Sequence, residues 1–209
     1  MTKYREDHSK IRVILLMVLC TLFVFCVNIA SAQISISSGD GILNPLTFSG
    51  SDLGAQINNA IASSAGVYKK IVIPGTGSPY TWSTTVTIDP RYVSIVGQGS
   101  GITFINCTAS PCLSLYEANF SLDPGGVIGG FTMTGNGSAS QVGIQSAGVF
   151  NERWDDITFS GFTGTGAVSW YLYNSNSSNG WQERIHASKI RIENGSGLKF
   201  SYNAANIAA

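Results

Sequence analysis

The feature that most constrains this chain is a repeat of very short strands in its second half. Phe131-Thr132-Met133, Ile157-Thr158-Phe159 and Ile190-Arg191-Ile192 share one plan, and their first residues recur at intervals of 26 and 33 residues. Each is followed by a second apolar position, Ile144, Val168 and Leu198, with Gly143, Gly166 or Gly197 just before it. A three-residue strand with two apolar side chains on one face cannot bury them alone. Stacking successive units pairs each strand with its equivalent and builds a continuous apolar column. Alternation directs Phe131, Met133, Ile157, Phe159, Ile190 and Ile192 inward, and Thr132, Thr158 and Arg191 outward. The uneven repeat length fits a single-stranded right-handed parallel β-helix better than a propeller with uniform blades. A β-sandwich is the structural rival, but it would not require the repeated plan. The polar stretch 174–180 in the longest interval reads as a loop pushed out between strands.

The first half fits the same architecture. Short apolar runs at Ile71–Ile73, Val86–Ile88, Val93–Val96, Ile102–Ile105 and Leu113–Leu115 are broken by Gly, Pro or Asn. Such spacing argues for many short strands. The one convincing helix spans about residues 52–65. Ser51 or Asp52 caps it, Leu53, Ile57, Ala60 and Ile61 share a face, and Gly66 is a plausible stop. The helix is amphipathic and short, so it must lie on something apolar. The sequence closes on Asn203–Ala209 without aromatic or charged closure, so residues 51–209 read as a β-helix domain that is incomplete at its C-terminus.

The chain opens on a basic, polar stretch, followed by an apolar run at 13–27 and a small-residue exit ending in Ala30-Ser31-Ala32. This is the layout of a signal peptide cleaved after Ala32, and the run is shorter than the roughly 20 residues of a spanning helix. An uncleaved anchor is the alternative. Export implies a secreted, periplasmic or cell-surface protein, with a lead-in at 33–50. Removing residues 1–32 takes four basic and two acidic residues from the 12 of each, leaving a net charge of −2. There is no basic field for nucleic acid. Cys107 and Cys112 remain in the mature part. Export permits a disulfide between them, and free thiols facing a core are the other reading. No histidine is near enough to suggest a metal site.

The stretch after residue 50 resembles the start of pectate-lyase-like superfamily proteins. An Asp-led helix (Asp52, Ile57, Ala60, Ile61) precedes a strand and turn (Ile71, Ile73, Pro74, Gly75, Tyr80), and Ile95-Val96-Gly97-Gln98-Gly99 looks like the next turn's signature. Here Lys69-Lys70 replaces the usual Gly-Gly, and the Pro-to-Tyr spacing is stretched. The resemblance spans roughly 50–200. It implies a right-handed β-helix with a capping helix and, for many members, activity on extracellular polysaccharide as lyases or glycoside hydrolases. Others are non-catalytic adhesive or tailspike proteins, which would make a trimer possible. Calcium is implied by the resemblance alone, since no clear carboxylate cluster is visible.

Two segments hold candidate chemistry. Asp155-Asp156 could act as acid and base in glycoside hydrolysis, although neighbours on a strand point to opposite faces and a polar turn is the blander reading. The Asn-x-Asp, Gly-His-Gly and Arg-x-Lys motifs of polygalacturonase-like members do not accompany it. Glu183, Arg184 and His186 supply a carboxylate, a cation and an imidazole within a short span. A lyase needs a base, Glu183 or His186, and a cation, Arg184 or Arg191. Solvated charges in a turn are the alternative. Trp154, Trp170, Tyr171, Tyr173 and Trp181 are candidate sugar-stacking rings, or core packing. The expected substrate is a pectin-like uronic-acid glycan. The competing expectation is a non-catalytic carbohydrate-binding or surface protein.

Overall fold

The computed structural model describes residues 41–63, 68–116, 126–148, 151–173 and 185–201. The leader and residues 174–184 lie outside these. A two-residue strand, β1 (Ile42–Leu43), and a 3-10 turn (Pro45–Thr47) precede helix α1 (Leu53–Ala62). About five turns of solenoid follow. The first is β2 (Lys69–Ile73), β3 (Tyr80–Trp82) and β4 (Val86–Ile88); the second is β5 (Val93–Gly97), β6 (Phe104–Cys107) and β7 (Leu113–Tyr116). The third is β8 (Val127–Gly135) and β9 (Val142–Ala147), the fourth β10 (Arg153–Ser160) and β11 (Val168–Tyr173), the fifth β12 (His186–Glu193) and β13 (Leu198–Ser201). All pairings are parallel, in one eight-stranded and one five-stranded sheet. This is the parallel β-helix that the repeat predicts.

The long strands β8, β10 and β12 each turn a corner, so the column has three faces. Register passes from Gly129↔Asp155↔Ser188 to Phe131↔Ile157↔Ile190, skipping one residue in each of these three turns. The skipped residues, Gly130, Asp156 and Lys189, all have left-handed backbone (φ 71°, 56° and 51°). Each adds one residue to its strand, as a β-bulge does, and shifts the alternation by one place. The first face therefore directs Ile71, Ile95, Ile128 and Trp154 inward in one column. The second face stacks Ile105, Met133 and Phe159. The third stacks Val86, Leu113, Ile144 and Trp170. Across the interior, the rings of Trp154 and Trp170 meet at 4.3 Å between centroids. In the fifth turn Ile192, Leu198 and Phe200 occupy the same inward register, yet no described residue stacks beyond them, and Phe200 is 69% exposed.

Several local expectations are corrected. Ile102 lies in a turn, because Ile102 and Thr103 both donate backbone N–H groups to Gly99, and the strand begins at Phe104. Tyr80–Trp82 forms a strand, with Trp82 fully buried. The strands expected at 131, 157 and 190 begin four residues earlier, ahead of the corner. The expected disulfide, by contrast, is present: Cys107 and Cys112 are bonded, with Cα atoms 5.9 Å apart and both residues buried.

Helix α1 closes the front. Leu53, Ile57 and Ala60 are its buried stripe. Asp52 caps it, accepting from the N–H groups of Gly54 at 2.8 Å and Ala55 at 3.3 Å. The same carboxylate accepts the hydroxyls of Ser83 at 2.9 Å and Thr84 at 2.6 Å, between β3 and β4. One side chain thus starts the helix and ties it to the first turn. At the other end, buried Lys69 donates its ammonium to the Ile61 carbonyl, a favourable cation at a helix C-terminus.

Two predictions follow from this architecture. A Cβ on Gly129 would lie 1.7 Å from the Asp155 carbonyl oxygen, with no flexible atom to yield. Gly129→Ala should abolish cooperative unfolding by circular dichroism, whereas outward Thr132→Ala should keep it. For Asp52, burial raises the carboxyl pKa, but the Thr84 and Ser83 hydroxyls and the Ala55 and Gly54 amides outweigh it and hold it at about 2. A depressed folded pKa gives stability that is complete above the ordinary value of 3.8 and lost as pH falls towards about 2. Asp52→Asn keeps a capping oxygen but loses the charge that the Ser83 and Thr84 hydroxyls favour, and should cost roughly 1 kcal/mol at neutral pH, with its deficit in urea melts shrinking through that acid window. Parallel pH dependence of the two proteins would contradict this.

Candidate functional site

The outward side chains of the three faces form separate surfaces, and the candidate residues divide among them. On the first face, Arg153, Asp155, His186 and Ser188 point outward and line a surface depression of about 660 Å³ with Val127 and Ile185. Register places His186 directly beside Arg153, and Ser188 beside Asp155. The Ser188 hydroxyl donates to the Asp155 carboxylate, and the Lys189 ammonium lies 3.9 Å from it. Arg191 is on the second face, beyond the corner, closed on Glu193 at 2.5 Å. His186 and Arg191 therefore do not share a surface. Glu183, Arg184 and Trp181 lie outside the described residues.

The adjacent acids do not alternate as a flat strand requires. Asp156 occupies the left-handed corner, so it points outward as Asp155 does. Its carboxylate accepts the Ser100 hydroxyl at 2.7 Å and the Ser100 N–H at 2.9 Å, past the side-chain-free Gly130. The Ser100 hydroxyl and N–H, aided by nearby Lys189 and opposed by burial, hold the Asp156 carboxyl below the usual carboxylate range. A general acid in glycoside hydrolysis needs its pKa raised. Asp156 is held ionised, with its oxygens taken up in pinning the corner to the turn at Ser100.

Trp154 and Trp170 are inside the column, 1% and 3% exposed, so neither can offer a ring to an external glycan. The corner explains Trp154: without the extra residue, alternation counted back from Ile157 would have turned it outward. Its indole N–H donates to buried Glu152 at 3.1 Å.

Tyr171 and Tyr173 do face outward, on the third face, stacked at 5.1 Å with 19° between ring planes. Register sets Ala147 between Tyr116 and Tyr173. Ala147 is buried although its register position points outward. Burial, then the neighbouring phenols of Tyr171 and Tyr116, push the Tyr173 phenol up. Polar groups hold the pair in place. Gln145 donates to the Tyr173 hydroxyl at 3.0 Å, the Tyr171 and Ser201 hydroxyls bond at 2.7 Å, and Lys199 stands 4.8 Å from the Tyr171 ring centre. Tyr116, 39% exposed, is the member that sequence reading missed. It is 55 residues from Tyr171 in the chain and reaches the patch only through the register. Among the described residues, no three His, Cys, Asp or Glu side chains gather as a metal site.

No family model matches the chain, and no curated protein matches it. Among solved structures it is similar to the ORF18 protein of Geobacillus virus E2, at 15% identity and a TM-score of 0.50, over 75% of this chain and 40% of that one. This chain thus spans less than half the length of that protein, and at such identity the likeness concerns the fold alone.

Proposed function

We propose that this chain is part of an exported, pectate-lyase-like β-helix protein that binds an extracellular polysaccharide along its third face. The observation behind this reading is the outward Tyr171–Tyr173 stack, with Tyr116 beside it and Gln145, Lys199 and Ser201 around it. The core does not need these rings. Aromatic side chains fringed by hydroxyl, amide and ammonium groups suit a ligand with apolar faces and polar rims, and a strand-parallel surface suits a chain-like one. Binding is better supported than cleavage. Asp156 is occupied by Ser100, Arg191 is closed on Glu193 around a corner from His186, and the described residues bring no acid–base pair together in a free state. Lyase or hydrolase action on a uronic-acid glycan stays a reading of the sequence.

Affinity electrophoresis of the full chain in gels containing polygalacturonate, alginate or neutral glucan tests this. Tyr171→Ala and Tyr173→Ala should each weaken retardation by roughly three- to tenfold, with no release of reducing ends or unsaturated products. Unchanged mobility on every glycan, or wild-type retardation in both variants, would overturn the reading.

A further inference from the structure

The depression on the first face has chemistry of its own and does not rest on the polysaccharide reading. Arg153 and His186 begin β10 and β12, are direct partners in register, and are both exposed. Neighbouring parallel strands lie about 4.8 Å apart, so the guanidinium and the imidazole can reach one small group between them. Two groups that are cationic when protonated repel each other in such a pair, and proteins ordinarily relieve this with a nearby acid. Here the neighbouring acid is turned elsewhere. Asp155, two residues along the strand, accepts the Ser188 hydroxyl and faces Lys189. The position beneath Arg153 in register is Val127, which offers no charge.

The other described arginines behave differently. Arg91 closes on Asp89, and Arg191 on Glu193, each at 2.5 Å. Among the described residues, the side chains of Arg153 and His186 have neither an ion pair nor a hydrogen bond. They line the same depression of about 660 Å³, where a ligand has room.

We propose that Arg153 and His186 form an oxyanion-binding site that takes a carboxylate, sulfate or phosphate group. Arg153 supplies the planar fork that matches two oxygens of such a group, and protonated His186 supplies a third donor from the adjacent strand. Ser188 holds Asp155 aside. Among the described residues, the charged groups around His186 are Arg153 and Asp155 from β10, Lys189 from its own strand and, buried behind them, Glu152, whose backbone carbonyl accepts the His186 N–H; those at the surface are two cations and one acid. Binding and protonation of His186 favour each other, so affinity should rise as the imidazole takes up its proton.

The test is an NMR titration of the histidine ring signals of the full chain, which has only His8 and His186; His186→Asn assigns them. Sodium sulfate, inorganic phosphate and galacturonate are each compared with sodium chloride at matched ionic strength. At least one oxyanion should raise the His186 midpoint by about half a unit or more relative to chloride, and whichever does so identifies the preferred group. Arg153→Gln, outside the core and checked for folding by circular dichroism, should remove the rise and weaken binding about tenfold. An identical His186 midpoint in chloride and in every oxyanion, or a rise that survives in Arg153→Gln, overturns the proposal.

Discussion

Between the ends of this solenoid, inward side chains are buried by their counterparts one turn away, and the rest of the structure depends on that register. A strand of three to nine residues has too little surface to make a core of its own. Parallel in-register pairing satisfies the backbone and, in the same step, sets Ile71 on Ile95 on Ile128 on Trp154. The ends of the column are where this cooperation fails. At the front, helix α1 substitutes for a missing turn, and a polar contact holds each of its ends, Asp52 to the β3–β4 connection and Lys69 to the Ile61 carbonyl. Both answer unsatisfied helix-terminal groups, so the cap is tied down by the same bonds that finish the helix. In the fifth turn the inward positions are correctly patterned, but no described residue stacks on them, and Phe200 is exposed while its partner Leu172 is not.

The corner between the first and second faces explains what the sequence could and could not say. The inward pairs Phe131/Met133 and Ile157/Phe159 were legible, because alternation holds within one face. So were the capping role of Asp52 and the buried stripe of α1, because helix starts have local signatures. The segments ahead of the corner were not legible, since one left-handed residue displaces the alternation. Gly129-Gly130 is a sign of such a bend, as paired glycines in a strand pattern suggest a bulge. Asp156 is a weaker sign, since Asp tolerates that conformation. Lys189 gives none, and its position follows only from stacking on the turns below. For this reason alternation counted back from Ile157 could not decide between a sugar-stacking ring and core packing for Trp154, and the structure shows core packing. Trp170 differs: it shares parity with Val168, so alternation alone places it inside.

Because burial dictates the inward positions, the outward ones record what the surface does. The first face is charged near the starts of its strands, with Arg153 and His186 side by side. The third face is phenolic near the ends of its strands, with Tyr116, Tyr171 and Tyr173 grouped through register. Side chains that adjoin in sequence are dispersed by the winding, as His186 and Arg191 are by the corner. Side chains from distant turns are brought together, as Tyr116 and Tyr173 are across Ala147. A window of sequence such as 186–191 is therefore a poor unit in which to look for a site on this fold. The proper unit is a column of equivalent positions one turn apart, where spacing is fixed by the hydrogen-bond ladder rather than by the length of the intervening loops. The number of residues between strands can grow, as between β11 and β12, without moving Arg153 relative to His186 or Tyr171 relative to Lys199. That separation of surface geometry from loop length allows a narrow core to support two chemically different outer faces.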